Sequence, residues 1–270
     1  MSTTAVGVAG LGTIGLKVAK ALDNGEVPGM HLAAVCSRSS EKAKSQMAAF
    51  RNPAPVMTAA DLAKVCEVVV ECVPKNAFIE IATTVLSVGR VLITVSGAAI
   101  LANPNVIETA RKHNGRIVLA TGALLGLDAI RAAAEGEIHF VHMVTRKPPM
   151  SLVGAPYLAE HDIDVMSIEN ATRIFNGTAA EGAVGFPSNV NVAAAVGLAG
   201  IGADSTKLEI WADPGIDRNT HTIIVDADSA RFEMKIENVP SEENPGTGKI
   251  TALSVLAALR AENAVMRIGS

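Results

Sequence analysis

The sequence has few aromatic residues and no excess of basic ones. Aromatic side chains make up 3% of its 270 residues, and 23 Lys and Arg against 27 Asp and Glu give a formal net charge of −4. General nucleic-acid binders carry a basic excess to meet phosphates, and single-strand binders stack bases on aromatic rings. The composition therefore argues against a nucleic acid as the partner.

Cysteine is also scarce, and long apolar runs are missing. Cys36, Cys66 and Cys72 form no CxxC motif and no metal-ligand spacing, and their odd number fits a reducing cytosol better than a disulfide framework. The histidines show neither HExxH nor His-x-x-x-His spacing, so we expect no bound metal. The first residues lack a signal-peptide pattern, and no apolar run reaches transmembrane length. We expect a cytoplasmic protein that does not contact a membrane.

The chain does have a globular balance of 49% apolar and 19% charged residues, and its length suffices for two small domains. In the first half, apolar strand-like runs alternate with segments of helical spacing. Strands are predicted over residues 5–9, 31–36, 65–72, 91–96 and 116–120. This alternation predicts an α/β fold with a doubly wound parallel sheet of the Rossmann type.

The pattern changes from about Leu127. Strands are predicted over 139–146, 171–176, 207–212, 221–226 and 230–238, and the last three are joined by turn-like segments. Consecutive strands with such junctions indicate a second, α+β domain with a mainly antiparallel open sheet. A final helix, over 247–263, is expected to pack back on the first domain. The predicted domains are thus 1–125 with 241–270, and 126–240.

The clearest motif is a GxGxxG loop that follows the first strand directly and opens a helix. In this context Gly10 permits a tight turn, Gly12 lets the backbone approach a pyrophosphate, and Gly15 allows close packing of helix and strand. The amides of the helix start, at Thr13 and Ile14, would face the phosphates. The motif predicts that NAD or NADP is bound here, and the alternative is a turn that merely needs glycine.

The second strand ends without the carboxylate that NAD enzymes use to bind the ribose. Its last residues are followed by Ser37 and Arg38, which could bond the 2′-oxygen and a 2′-phosphate, respectively. We therefore expect NADP to be accepted, with or without NAD. The alternative is that Arg38 is a solvated surface charge.

Two further strand ends are expected to face the cofactor, because ligands of open α/β sheets lie beyond the carboxyl ends of the strands. They contribute Cys72 and Val73 at one end and Ser96 at the other. Cys72 could also be interpreted as a nucleophile. A strand-end cysteine without a partnered histidine is more often a small packed residue.

His221 is the best candidate for an acid/base group among the six histidines. It opens a strand directly after a polar turn that also contains Arg218 and Asn219. An imidazole titrates near neutrality, which suits proton transfer. From the residue pattern alone, a strand-end histidine with a merely structural hydrogen bond is the favoured interpretation.

Several segments, in order over nearly the whole chain, resemble one family. They are 122–128 (GALLGLD), 144–148 (VTRKP), 186–193 (FPSNVNVA), 213–214 with 218–221 (DP and RNTH), and 238–241, 244–245 and 251–254 (NVPS, NP and TALS). These segments resemble the L-aspartate dehydrogenase family. The resemblance implies a fold similar to that of dihydrodipicolinate reductase and homoserine dehydrogenase, in which the open sheet forms a homodimer.

The resemblance also implies a reaction. L-Aspartate, NAD(P)+ and water would give oxaloacetate, ammonium and NAD(P)H through iminoaspartate, with a suggested role in supplying pyridine nucleotide biosynthesis. By match to the family pattern, Ala123 and Asn189 fall at cofactor-binding positions and His221 at the active-site position. Two alternatives are another imine or carbonyl reductase of the same architecture, and a dinucleotide-binding sensor without turnover.

A dicarboxylic amino acid needs cations and hydrogen-bond donors in its pocket. Arg146 and Lys147 are adjacent on a predicted strand and must face opposite ways, so one could bind a carboxylate while the other is solvated. Thr121, Asn191 and Asn219 are uncharged groups that could complete the substrate pocket, and Asn189 could cap its helix as well as contact nicotinamide.

Overall fold

The computed structural model describes residues 3–187, 190–244 and 246–269. The chain divides into two compact units. One comprises Met1–Gly122 with Thr251–Arg267, and the other comprises Ala123–Ile250 with Ile268–Ser270. None of the described helices is long and apolar enough to cross a membrane.

The first unit is built on a sheet of five parallel strands. Its elements are β1 (Thr4–Ala9), α1 (Thr13–Asp23), β2 (Met30–Cys36), α2 (Ser40–Met47), α3 (Ala59–Val65), β3 (Val68–Glu71), α4 (Lys75–Leu86), β4 (Val91–Thr94), α5 (Gly97–Ala102), α6 (Asn105–Lys112) and β5 (Arg116–Leu119). The strand order is β2-β1-β3-β4-β5, and every pair is parallel. This arrangement confirms the predicted parallel sheet.

The strands of this sheet are apolar because both faces are covered. On one face, Val6 and Val70 pack with Val18 and Leu22 of α1. On the other face, Val69 packs in a separate cluster with residues of α3, α4 and α6. A strand buried on both sides has no polar alternation, which explains the continuous Val-rich runs in the sequence.

The third predicted strand, 65–72, is shorter in the structure. Val65 ends α3 instead, and Thr58 caps the start of that helix by accepting a hydrogen bond from the Asp61 amide. Helix α3 was not predicted, because seven residues with mixed polarity carry too little periodicity. The Thr58 cap was the available signal for it.

The second unit combines four helices with five strands. Its elements are α7 (Leu127–Ala133), β6 (Ile138–Lys147), α8 (Pro156–Glu160), β7 (Thr172–Thr178), α9 (Ala179–Gly185), α10 (Asn191–Ala199), β8 (Thr206–Ala212), β9 (Asn219–Ala227) and β10 (Arg231–Asn238). The strand order is β10-β9-β6-β8-β7. A final helix, α11 (Lys249–Glu262), contributes Val255, Leu256 and Leu259 to the core beneath β1 in the first unit.

The second sheet is mainly antiparallel, as predicted, with one parallel pair between β6 and β8. Strands β8 and β9 follow each other along the chain, but β6 lies between them in the sheet. Only β9 and β10 form the hairpin that the turn residues suggested. The unpredicted helix α9 begins with a capping box in which Thr178 and Glu181 exchange hydrogen bonds.

The two faces of this sheet differ in cover. On β6, Val141, Met143, Thr145 and Lys147 are buried, whereas the alternating residues are only partly so. Helix α9 packs on the buried face, since a Cβ built on its Gly182 would meet Leu208, the strand neighbour of Met143. We call the other face, on which Val144 and Arg146 of β6 are partly exposed, the open face. The polar residues Thr145 and Lys147 therefore stand out from the apolar Val141 and Met143 on the covered face of β6.

Candidate active site

The glycine loop of the first unit has the geometry that a dinucleotide requires. Gly10 has φ of +93°, and its amide donates to the Cys36 carbonyl at 2.7 Å, so the chain turns sharply at the end of β1. A Cβ on Gly15 would stand 1.9 Å from the Gly10 carbonyl oxygen. Helix α1 can lie this close to the strand only because residue 15 has no side chain.

Gly12 has a different reason to be glycine. It lies at the N-cap of α1, it is exposed, and a Cβ there would meet no atom within 4 Å. Among the described residues, no side chain caps this helix. The amides of the first turn, which includes Thr13 and Ile14, are thus left for a ligand, and the positive end of the helix favours an anion. These residues fit the pyrophosphate of a dinucleotide.

The end of β2 lies directly beside this loop, because the Gly10 amide bonds to its last residue, Cys36. Ser37 follows half-buried, and Arg38 is exposed. The sequence placed both residues near an adenosine ribose. Their position next to the loop is compatible with that role, and Arg38 is free to move towards a phosphate.

A buried carboxylate at the end of β3 was missed by the sequence analysis. Glu71 is 0% exposed; its Oε1 accepts from the Val73 amide at 2.8 Å, and its Oε2 accepts from the Thr94 hydroxyl at 2.6 Å. The Thr94 hydroxyl in turn accepts from the Ser96 amide at 2.9 Å. Burial raises the pKa of Glu71, and the hydrogen bonds that it accepts oppose that rise.

This network ties together two of the predicted cofactor-facing segments. Val73 follows β3 and Ser96 follows β4, and both amides are held through Glu71 and Thr94. A single acidic residue at the end of a Val-rich strand was the signal that could have identified Glu71. Cys72 lies beside it, and burial together with the Glu71 charge raises the pKa of its thiol. A thiol held in its protonated form favours packing over nucleophilic chemistry.

His221 lies on the helix-covered face of the second sheet and is 3% exposed. Its Nδ1 lies 3.1 Å from the Thr145 hydroxyl, directly across the ladder from β9 to β6. Burial, with the nearby Lys147 charge as a second cause, lowers the pKa of His221 to about 3. The imidazole is therefore neutral at physiological pH, and an anionic group bound beside it would raise its pKa and make it a better base.

Lys147 shares this face, two residues after Thr145 on β6, and is 5% exposed. Burial lowers the pKa of Lys147 to about 8. Its backbone carbonyl accepts from the Asp213 amide at 2.9 Å, which fixes the end of β6 against the segment that follows β8. A buried ammonium of this kind is a strong partner for a carboxylate.

Asparagines extend the polar group along the same face. Asn219 lies two residues before His221 on β9, and Asn238 of β10 is its cross-strand partner. The Oδ1 atoms of both side chains are buried without a hydrogen-bond partner among the described residues. The Nδ2 of Asn238 donates to the Ala123 carbonyl at 3.0 Å, which brings this predicted cofactor residue to the same end of the sheet.

Arg146 faces the opposite, open side of the sheet. Its guanidinium lies over the Trp211 ring at 4.7 Å from the centroid and 3.4 Å from Asp213 Oδ2. The sequence left open which of these two adjacent cations could bind a substrate carboxylate, and the structure places them on opposite faces of the sheet. Lys147 lies with His221, and Arg146 does not.

The remaining predicted residues are dispersed. Thr121 is half-buried in the loop after β5, next to Gly122, whose amide donates to the Ser254 hydroxyl at 3.0 Å. Asn191 is exposed at the first residue of α10. Asn189 lies outside the described residues. Within the described ranges, no group of three or more His, Cys, Asp or Glu could hold a metal ion.

Comparison with protein families matches the two halves of the chain to different descriptions. Residues 10–120 match the family described as homoserine dehydrogenase, NAD binding domain. Residues 128–262 match the family described as aspartate dehydrogenase, C-terminal.

Curated relatives match over nearly the full length. The chain is 47% identical to an L-aspartate dehydrogenase of Bradyrhizobium diazoefficiens, with 98% of this chain and 94% of the relative covered. It is 46% identical to L-aspartate dehydrogenase 3 of Bordetella bronchiseptica, with 98% and 97% covered. A solved aspartate dehydrogenase from Thermotoga maritima shares the fold, with a TM-score of 0.75 at 24% identity and 98% and 99% covered.

A parallel nucleotide-binding unit with a glycine loop, joined to an α+β unit that carries a buried histidine and lysine, defines a nicotinamide-dependent dehydrogenase. Both family matches agree with that class. Within it, the chain belongs to the L-aspartate dehydrogenase family.

Proposed function

We propose that the protein catalyses the reversible, NAD(P)-dependent oxidative deamination of L-aspartate to oxaloacetate and ammonium through iminoaspartate. The observation that carries the proposal is the buried group on the helix-covered face of the second sheet. His221, Lys147 and Asn219 lie there together, and they combine a neutral base, a cation and an amide. The names of the relatives support the choice of aspartate.

Each residue has a role that follows from its chemistry. The nicotinamide supplies hydride chemistry when bound, so the protein has to orient the substrate and move protons. Neutral His221 is the group proposed to take a proton from the substrate ammonium group and release it to solvent, and then to take a proton from the water that adds to the imine and return it to the leaving nitrogen. Thr145 orients its ring through Nδ1, and Lys147 is proposed to bind a substrate carboxylate.

The test is a panel of substrates against both cofactors, followed by the absorbance of the reduced nicotinamide. L-Aspartate should be oxidised at a much higher rate than other L-amino acids and homoserine. A preference for homoserine or for another carbonyl or imine would identify a different reductase of the same architecture. Cofactor binding without turnover of any substrate would identify a sensor.

We also propose that NADP is accepted alongside NAD. The end of β2 offers Ser37 and an exposed Arg38 in place of a carboxylate, so nothing in that segment repels a 2′-phosphate. Arg38→Ala should weaken NADP binding several-fold more than NAD binding, as expected for one exposed charged contact. Equal changes for the two cofactors would remove Arg38 from the phosphate site.

The division of work along the chain is proposed to follow the two units. The first unit, Met1–Gly122 with Thr251–Arg267, would bind the dinucleotide, Cys72, Val73 and Ser96 included. The second unit, from Ala123 to Ile250, would add Ala123 to the cofactor site, bind substrate and form the dimer. The open face of the second sheet supports the dimer, because Phe140, Val144, Trp211 and Ile224 are only partly buried there.

Light scattering tests this interface. Val144→Lys should shift a homodimer to monomer, while Lys17→Glu, an exposed change in the first unit, should not. A wild-type monomer would refute the dimer. The proposed cellular role, supply of iminoaspartate to pyridine nucleotide biosynthesis in the cytoplasm, would be tested by rescue of a strain that cannot make this imine.

A further inference from the structure

Two buried amide oxygens in the second unit have no partner. Oδ1 of Asn219 and Oδ1 of Asn238 are both inaccessible to solvent and accept no hydrogen bond from any described residue. A buried carbonyl oxygen that is left unpaired is destabilising, so native structures rarely contain two side by side without a reason. Such a pair points to a ligand that supplies the missing donors.

The orientation of Asn238 is fixed by its own contacts. The group that lies 3.0 Å from the Ala123 carbonyl has to be the amide nitrogen, because a carbonyl oxygen can only accept a hydrogen bond. The unpartnered end of Asn238 is therefore an acceptor. Asn238 is 4% exposed, so this acceptor is shielded from bulk solvent.

Strand register places the two asparagine oxygens near His221 and Lys147. Asn219 and Asn238 are directly opposed on β9 and β10, so their Cβ atoms are about 5 Å apart. Asn219 and His221 are two residues apart on β9 and share a face, roughly 7 Å from each other along the strand. The ladder from β6 to β9 pairs Thr145 with His221, and the same register continued by two residues sets Lys147 opposite Asn219.

The row of side chains across the sheet thus runs from a cation, Lys147, to two neutral acceptors, Asn219 and Asn238. An α-amino acid presents the complementary pair, a carboxylate and an amine that carries several N–H donors. A hydroxy acid has one O–H donor at that position, and a keto acid has none. The row therefore has the chemistry to distinguish an amino acid from its oxygen analogues.

We propose that Asn219 and Asn238 form the amine subsite of the enzyme, in which their Oδ1 atoms accept hydrogen bonds from the substrate nitrogen. This inference rests on the proposed function and names the residues that recognise the amine. The neutral amides hold the nitrogen without fixing a charge, so His221 can take a proton from it. In the reductive direction the same oxygens bind ammonium.

Kinetics in the reductive direction test the subsite, because the nitrogen and the carbon skeleton are then separate substrates. Asn219→Leu keeps the side-chain size and removes the acceptor. It should raise the KM for ammonium about tenfold, the effect of one lost hydrogen bond to a charged group, and leave the KM for oxaloacetate within about twofold. Asn219→Asp keeps an acceptor oxygen and should restore a low KM for ammonium.

Thr220→Val is the matched control, because Thr220 is the next residue of β9 and faces the opposite side of the sheet. It should leave both KM values unchanged. Asn238→Leu should act like Asn219→Leu; if it does not fold, the Asn219 variants decide. A parallel rise of both KM values, or a fall in kcat alone, would overturn the proposal and leave the asparagines a structural role.

Equilibrium binding separates failure of the subsite from failure of the proposed function. The holoenzyme should bind L-aspartate more tightly than L-malate, and Asn219→Leu should bring the ratio of the two dissociation constants close to one. An unchanged ratio would exclude the amine subsite even in an active enzyme. Lack of turnover with L-aspartate in the wild type would instead refute the proposed function.

Discussion

The two units solve the problem of buried polar groups in opposite ways. In the first unit, the buried carboxylate of Glu71 has donors from Val73 and Thr94, and close backbone contacts at Gly10 and Gly15 shape the glycine loop. In the second unit, Asn219 and Asn238 keep unpartnered oxygens on a covered face. The first unit thus satisfies its buried polar group internally, whereas the second carries two acceptors that we propose the substrate satisfies.

The titrating groups show the same contrast. Burial favours the neutral form of all three groups, because it raises the pKa of Glu71 and lowers the pKa of both His221 and Lys147. Hydrogen bonds to the charged form oppose the shift at Glu71, whereas the Lys147 charge adds to it at His221. Groups with strongly shifted pKa values are typical of sites that move protons.

The largest expected effect separates two glycines of the loop. Gly15→Ala should abolish cofactor binding and lower the melting temperature, because its Cβ would lie 1.9 Å from a backbone oxygen. Gly12→Ala should have the melting temperature of the wild type, since its Cβ meets nothing within 4 Å. It should nevertheless bind the dinucleotide at least about tenfold more weakly. Thermal melts and cofactor titrations check both variants. Normal affinity in Gly12→Ala would show that the open space is not the pyrophosphate site.

The next effect concerns stability in acid. The pKa of His221 is about 3 in the folded state and ordinarily near 6.5, so the unfolded state binds more protons between these values. Stability from neutral His221 is present above pH 6.5 and is lost as pH falls towards 3, by at most about 5 kcal/mol. Denaturant unfolding of wild type and His221→Gln from neutral pH down to pH 4 measures the difference. If the free energy of unfolding falls equally with pH in the two proteins, His221 is not a buried neutral histidine.

Lys147 and Arg146 form a matched pair on one strand. Lys147→Met should raise the KM for L-aspartate about 10- to 100-fold, the effect of one lost charged hydrogen bond, and Arg146→Met should change it only slightly. Lys147 lies with His221, whereas Arg146 stacks on Trp211 across the sheet. Steady-state kinetics at saturating cofactor make the comparison. A larger effect from Arg146 would place the carboxylate site on the open face.

The smallest expected effect concerns the hydrogen bonds that Glu71 accepts in the first unit. Glu71→Gln keeps the side-chain shape, but only its amide oxygen can accept, so one of the bonds from Val73 and Thr94 is lost. Dinucleotide binding should weaken about tenfold as the two loops lose their common partner. Glu41→Gln, an exposed change in the same unit, is the control for cofactor titrations. Unchanged affinity in Glu71→Gln would separate the network from the cofactor.

The fold was predictable from the sequence because periodicity and the glycine motif report local structure directly. The parallel sheet, the loop of Gly10 and the antiparallel second sheet were all recognised in this way. Short helices such as α3 and α9 were missed, since about two turns carry little periodic signal.

The candidate site was only partly predictable, because its members meet through strand register. The sequence showed that Arg146 and Lys147 face opposite ways but not which face the helices would cover. That depends on the order of β9, β6 and β8, in which chain neighbours are not sheet neighbours. Asn238 becomes a candidate only when β10 pairs with β9, and Glu71 only when Thr94 lies beside it.

Turnover by His221→Ala is the measurement that tests the account most directly, because it asks whether the covered face of the second unit carries out the chemistry. With saturating L-aspartate, kcat should fall by about 10²-fold or more, the usual size of a general acid–base contribution. The dissociation constant of the dinucleotide, measured on the same preparation, should stay within about twofold of wild type. A kcat within a few-fold of wild type would contradict the account.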